Sequence, residues 1–164
     1  MAMSTFIGPR DLPLSGYEIS TIDEKGRILL PKSMRDGVGE RFAVMIGRKG
    51  CLEIVSEDRF QAAWAKIQEA CLHSEYAQEY AGLVYGDSFS GLKFDAAGRF
   101  VVPIPAREKA GLRNEIYIRG AGGHVEIWDL AEFRKYEADI LNYNKSRREQ
   151  FQMLKKLMAE EVVP

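Results

Sequence analysis

TIDEKGRILLP, residues 21–31, and KFDAAGRFVVP, residues 93–103, spell Asp-x-x-Gly-Arg-x-x-x-Pro twice, 72 residues apart. In each, an acid and an arginine stand four apart around a glycine. Asp23 matches Asp95, Gly26 matches Gly98, Arg27 matches Arg99, Pro31 matches Pro103 and Arg35 matches Arg107. At the same offset Val44 and Ile46 fall on Ile116 and Ile118. One extra residue in the second copy then moves the offset to 73, where LEIV at 52–55 meets VEIW at 125–128 and Phe60 meets Phe133. Agreement at so many ordered positions is an internal duplication, and a duplication governs the fold.

Each copy has the same outline. Residues 17–22 alternate as a strand, Asp23 to Gly26 make a turn with glycine where positive φ costs least, and residues 27–30 return as the second arm of a hairpin. Pro31 ends that strand and opens a short helix that Gly37 and Gly39 close. Residues 42–46 and 52–55 are further strands. The second copy repeats this with strands at 91–94, 99–102, 115–119 and 125–128 and a short helix near 105–109. Ser56 caps a helix with Glu57 and Asp58 in its first turn and Phe60, Trp64 and Ile67 on one face. A second helix covers 74–84. Asp129 with Glu132, and Ser146 with Glu149, have the form of helix starts. Phe151, Leu154, Leu157 and Met158 then make an apolar stripe suited to a core or a neighbouring subunit.

A copy of roughly 45 residues in four short strands buries too little apolar surface to stand alone. The expected fold is therefore mainly β with flanking α-helices, the two copies closing one barrel with pseudo-two-fold symmetry and both turns near each other on one side. The chain divides into an arm at 1–16, repeats at 17–60 and 89–133, a helical linker at 61–88 and a helical tail at 134–164.

The chain of 164 residues is 46% hydrophobic and 29% charged, the balance of a soluble globular protein. It has no signal-like segment and no apolar run near the ~18 residues of a membrane span, so the expected location is the cytoplasm, with no membrane partner. Cys51 and Cys71 read as free thiols in that compartment, and Cys51, Cys71 and His73 match no familiar metal spacing. No metal or cofactor is expected. The net charge is −1, but residues 25–49 sum to +5 and residues 99–119 to +3. Both basic blocks begin right behind an Asp-x-x-Gly. A local basic face attracts a polyanion even on a near-neutral chain, although the same residues also serve simply to solvate two surfaces.

IDEKGRILLPKSMR at 22–35, FDAAGRFVVPIPAREKAGL at 94–112 and VEIWDLAEF at 125–133 resemble the AbrB-type swapped-hairpin fold. The tandem arrangement over about residues 17–145 resembles the MraZ family of bacterial transcriptional regulators. That resemblance implies sequence-specific binding to repeated elements upstream of the division and cell-wall gene cluster, nucleoid association and ring-like homo-oligomers. It implies DNA contact by Asp23 and Arg27 and by Asp95 and Arg99. The arm before residue 17 is longer than the family pattern; Arg10 within it offers an extra DNA contact, but the favoured expectation is that the arm is disordered or covers a subunit surface.

The residue chemistry suits that task. Arginine forms two parallel hydrogen bonds to guanine or forks onto phosphate, provided that its rotamer is held. An aspartate four residues earlier can hold it. Lys25 at the first tip suits a phosphate, and its counterpart is Ala97, so the half-sites differ. Lys32, Arg35 and Arg107 are secondary candidates. The same turn also closes on itself as an ion pair without any ligand, and the residues alone leave both readings open. An enzyme is disfavoured: His73 and His124 are far apart in sequence, no nucleophile elbow, Walker loop or His-Glu-x-x-His occurs, and each aspartate has an arginine that favours its ionised form. An antitoxin-like module and a purely structural oligomer of the same fold are the alternatives to a promoter-binding regulator.

Overall fold

Both Asp-x-x-Gly-Arg turns form, but the strands leading into and out of them do not pair with each other. The structure, a computed structural model, describes residues 12–139 and 147–161. Arg10 and Ser146 lie outside the described residues. The rest divides into two compact units that part after Asp129. The first unit runs β1 (Tyr17–Thr21), β2 (Arg27–Leu29), α1 (Lys32–Val38), β3 (Arg41–Ile46), β4 (Leu52–Ser56), α2 (Glu57–Ile67), a 3-10 turn (Ala70–Leu72), α3 (Glu75–Tyr85), β5 (Phe89–Lys93), β6 (Arg99–Val101), α4 (Ile104–Lys109), β7 (Glu115–Gly120) and β8 (Val125–Asp129). The second unit contains α5 (Leu130–Asp139) and α6 (Arg147–Glu161), whose stripe of Phe151, Leu154, Leu157 and Met158 is exposed.

The local signals act as expected at the helix starts. Ser56 Oγ accepts the Arg59 amide at 3.2 Å and Ser74 Oγ accepts the Ala77 amide at 3.2 Å. The carbonyls of Pro31 and Pro103 accept the Arg35 and Arg107 amides, both at 2.9 Å. Gly39, at φ 94°, ends α1. Gly37 stays inside that helix rather than closing it, and its missing side chain leaves room for Leu14.

The strands form a six-stranded antiparallel sheet in the order β1-β7-β8-β4-β3-β5 and a separate two-stranded ribbon, β2-β6. This differs from the expected hairpins: β1 pairs with β7 and β2 with β6, so each copy's first two strands are given to the other copy. The tight turn carries the chain out of one sheet and into another layer, where a three-residue strand buries its inner side chains against a partner that its own copy lacks. It also differs from one closed barrel: among the described residues β1 and β5 are the edges of the sheet, and the ribbon is not continuous with it. The pseudo-two-fold axis passes through the β4–β8 pair, where Glu53 stands opposite Glu126.

The pairing also corrects the alignment of the copies. Thr21 faces Glu115 and Lys93 faces Arg41, so Arg41 is the equivalent of Glu115. Val44 faces Ile54 and Ile118 faces Ile127, so Val44 corresponds to Ile118 rather than Ile116. The second copy has two extra residues before β7 and one fewer in the β7–β8 turn. A slip of two preserves which side chains face the core, so the apolar pattern could not reveal it.

The ribbon closes over the sheet. Ile28, Leu30, Phe100 and Val102 are buried in one core with Phe42, Val44, Leu52, Ile54, Ile116, Ile118, Val125 and Ile127. Phe42 stacks on Phe94 at 4.4 Å and meets Phe100 edge-on at 5.1 Å. These contacts set the position of the ribbon's outer face. Ile28 is fully buried at its centre, so Ile28→Ala should cost about 3 kcal/mol through lost burial and a residual cavity. A chemical-denaturation midpoint measures this, and an unchanged midpoint would mean that the ribbon is not part of the cooperative core.

Candidate nucleic-acid interface

In the first turn the Asp23 carboxylate holds two residues, Lys25 and Arg27. Its Oδ1 accepts the amides of Lys25 at 2.9 Å and Arg27 at 2.8 Å, and its Oδ2 accepts Arg27 Nε at 2.6 Å. The Gly26 amide donates back to the Asp23 carbonyl at 2.9 Å, with Gly26 at φ 77°. The second turn repeats the frame: Asp95 Oδ1 accepts the amides of Ala97 and Arg99, both at 2.9 Å, and Gly98 has φ 84°. The arginine is held less firmly there. Arg99 Nε lies 3.4 Å from Asp95 Oδ2, an ion pair without hydrogen-bond geometry, and that nitrogen is shielded from solvent.

Both carboxyls are held below their ordinary pKa, Asp23 chiefly by the Arg27 amide and Asp95 chiefly by the Arg99 amide. The charge of Arg27 also acts on Asp95, across the copies. These are ionised, structural carboxylates rather than acids poised for proton transfer.

The ribbon brings the two motifs together. Arg27 faces Val101 and Leu29 faces Arg99. Strand alternation puts Ile28 and Phe100 inward and Arg27, Leu29, Arg99 and Val101 outward. The Arg27 and Arg99 side chains are 26% and 36% exposed, and Leu29 and Val101 are 47% and 57% exposed. The outer face is therefore two half-shielded guanidinium groups with two bare aliphatic side chains between them. The Val102 amide donates to the Gly26 carbonyl at 3.0 Å and the Leu30 amide to the Gly98 carbonyl at 3.3 Å, so each turn is stitched to the other copy's strand.

The remaining candidates fall around this face. Lys25 is exposed at the first tip and Ala97 takes its place at the second. Lys32 is exposed and forms a loose pair with Asp36 at 3.5 Å. An open groove of about 530 Å³ beside the second turn is lined by Lys32, Arg35 and Lys93 together with Asp36, Glu40 and Asp95. Arg35 and Arg107 are half-buried: Arg35 Nη1 approaches the Ala97 carbonyl at 3.5 Å, and Arg107 Nη2 donates to the Arg113 carbonyl at 3.1 Å. The sequence reading missed Leu29 and Val101, which the alternation around Ile28 and Phe100 would have pointed outward.

A second polar group lies inside the sheet. Glu126 is fully buried, and its oxygens accept Arg119 Nε at 2.7 Å, Trp128 Nε1 at 3.0 Å and Lys49 Nζ at 3.2 Å, with His124 Nε2 at 3.1 Å. Burial alone would raise its pKa, but the hydrogen bonds from His124, Trp128 and Arg119 hold it well below the carboxylate range. Burial raises the pKa of Glu53 opposite. Cys51 lies beside them, its thiol pushed up to about 12 by burial and by the charges of Glu126 and Glu53. Among the described residues, Cys51, Glu53 and Glu126 bring potential ligand atoms within 4.8 Å of one another. A cation there would have to displace donors that already occupy Glu126 and ionise a resistant thiol. The cluster reads as a structural anchor, and it does not draw in Cys71, whose Sγ lies 3.5 Å from the Ala77 carbonyl.

The family model described as "MraZ protein, putative antitoxin-like" matches residues 14–79 and 90–156, one stretch for each copy. The chain belongs to the MraZ family. Its MraZ relatives include the transcriptional regulator MraZ of Acetivibrio thermocellus, 28% identical over 82% of this chain and 93% of the relative. The transcriptional regulator MraZ of Kineococcus radiotolerans is 31% identical over 82% of this chain and 94% of the relative. That of Alkaliphilus oremlandii is 32% identical over 72% and 82%. No helix among the described residues is long and apolar enough to cross a membrane.

The depressed Asp23 and Asp95 values fix a pH dependence. Their contribution to turn order is whole above the ordinary aspartate value of about 3.9 and is lost as pH falls through the lower folded values. The amide resonances of Arg27 and Arg99 should therefore stay constant from about pH 8 to 5 and move only below about pH 4. A midpoint at or above the ordinary value would show that neither carboxylate is held as described.

Proposed function

We propose that this chain is a transcriptional regulator that binds double-stranded promoter DNA through the outer face of the β2–β6 ribbon. The observation that carries this reading is the meeting of Arg27 and Arg99, one from each copy, on one exposed face with an aspartate behind each. A two-stranded ribbon fits the major groove, which is about 12 Å wide. There each guanidinium has terminal nitrogens for the O6 and N7 of a guanine, and Leu29 and Val101 are apolar groups for a thymine methyl or a sugar. Lys25, and to a lesser degree Lys32, meet phosphate. In this reading the exchange of strands between the copies is the swapped-hairpin arrangement of the AbrB type.

The finer assignments follow the family resemblance. The target is the repeated element upstream of the division and cell-wall gene cluster. The chain acts at the nucleoid as a ring-like homo-oligomer, and no catalytic step is part of the mechanism. Exposed Trp64 on α2, Leu72 in the 3-10 turn, and Tyr76 and Leu83 on α3 support self-association. A ring presenting several ribbons to several repeats multiplies a modest single-site affinity through effective concentration.

Fluorescence anisotropy with a promoter fragment across a salt series tests the reading. Arg27→Ala and Arg99→Ala should each weaken specific binding about 10-fold to 100-fold, the range for one bidentate base contact, and together abolish it while circular dichroism stays native. Lys25→Ala should weaken all sequences alike and lower the salt slope by about 1. A double arginine variant that still binds its promoter normally overturns the site. A native oligomer with no affinity for any DNA would favour the antitoxin-like or structural alternative.

A further inference from the structure

We infer that Arg35 and Arg107 are positioning residues that act crosswise, each carried by the short helix of one copy and bracing the arginine turn of the other. Arg35 sits on α1 of the first copy, one helical turn after Pro31. Its guanidinium lies over Gly98 of the second copy, with Nη1 in the place that a Cβ would take and Nε 2.9 Å from that place. Arg107 occupies the matching position on α4, and its Nη1 lies 3.7 Å from the place of a Cβ on Gly26 of the first copy. Both glycines are buried although they sit in surface turns, and both arginines are half-buried.

Both glycines supply the positive φ of their turns, and Gly98 has a second duty: it leaves bare backbone on which a flat guanidinium can rest. Asp23 and Asp95 hold only the inside of their own turns, and the brace presses on the outside. The two braces are unequal in the sense that the turns require. The second turn has the longer Asp–Arg separation, 3.4 Å against 2.6 Å. That turn is the one that its brace grips closely, with Arg35 Nη1 also 3.5 Å from the Ala97 carbonyl. A turn ordered before it meets its ligand loses less freedom on binding, so Arg35 serves the Arg99 half-site and Arg107 the Arg27 half-site. The brace itself is independent of any ligand, whereas its effect on affinity rests on the DNA-binding reading.

Two measurements on the full chain test this. The first is amide hydrogen exchange and chemical shift in the free protein. Arg35→Ala should loosen residues 95–99 and leave 23–27 unchanged, and Arg107→Ala should do the reverse with a smaller effect. Gly98→Ala and Gly26→Ala carry the same penalty for positive φ, at 84° and 77°, but only the first also expels its brace. Gly98→Ala should therefore loosen its turn more, and adding Arg35→Ala should change it little further. The second measurement is anisotropy with the promoter fragment in double-mutant cycles. Arg35→Ala should couple with Arg99→Ala by about fivefold or more, equivalent to about 1 kcal/mol, and add independently to Arg27→Ala. Arg35→Lys should not restore the loss, since lysine lacks the planar fork.

Unchanged exchange at 95–99 in Arg35→Ala, with a salt slope lowered by about 1 and full recovery in Arg35→Lys, would identify a phosphate contact and overturn the brace. Equal loosening of both turns would overturn it as well. If the wild-type chain binds no DNA, the functional reading falls while the exchange experiment still decides the brace.

Discussion

The structure depends on one constraint: neither copy contains partners for its own first two strands. β1 is completed by β7, β5 by β3, and β2 and β6 complete each other. Each copy supplies its partner's missing edges, so the sheet, the ribbon and the core beneath it form together. This is the solution open to two short repeats that individually bury too little apolar surface. It also makes the functional face a joint product, because Arg27 and Arg99 become neighbours only when β2 lies against β6.

The centre of this exchange carries a charge problem and its solution. The β4–β8 pair sets Glu53 opposite Glu126 in mid-sheet, and like charges directly opposite are destabilising. The copies resolve it unequally. Glu126 stays ionised because Arg119, Lys49, Trp128 and His124 converge on it, while Glu53 keeps partial access to solvent. The polar cluster fixes the register of the pair on which the pseudo-symmetry turns, since a slip would strand Glu126 among apolar neighbours.

What was legible in the sequence was whatever neighbouring residues decide by themselves. The Asp23 and Asp95 turns, the Ser56 and Ser74 caps and the proline-started helices rest on bonds spanning two to four residues, and all are present. Pairing partners were not legible. The turn at Gly26 is compatible with a hairpin or with a crossing into another layer, and the choice is made by Phe42 and Phe100 in the core. The alignment of Val44 with Ile118 was hidden because apolar alternation repeats every two residues. At the site, the aspartates and arginines were readable as a motif, and Leu29 and Val101 could have been found by counting outward from Ile28. The resting place of Arg35 on Gly98 could not, since it joins residues 63 positions apart through the fold.

Every strand pairing between the copies is made through hydrogen bonds rather than chain continuity, so the passage through α2 and α3 is not what pairs them. The same architecture could be assembled by two separate chains of one repeat each. Joining them in one polypeptide keeps the halves in permanent company and releases them from identity: Lys25 in one copy can have Ala97 as its counterpart in the other, and a mutation alters one arm alone. What would be two interchangeable halves about the two-fold axis of a homodimer are here two distinguishable ones.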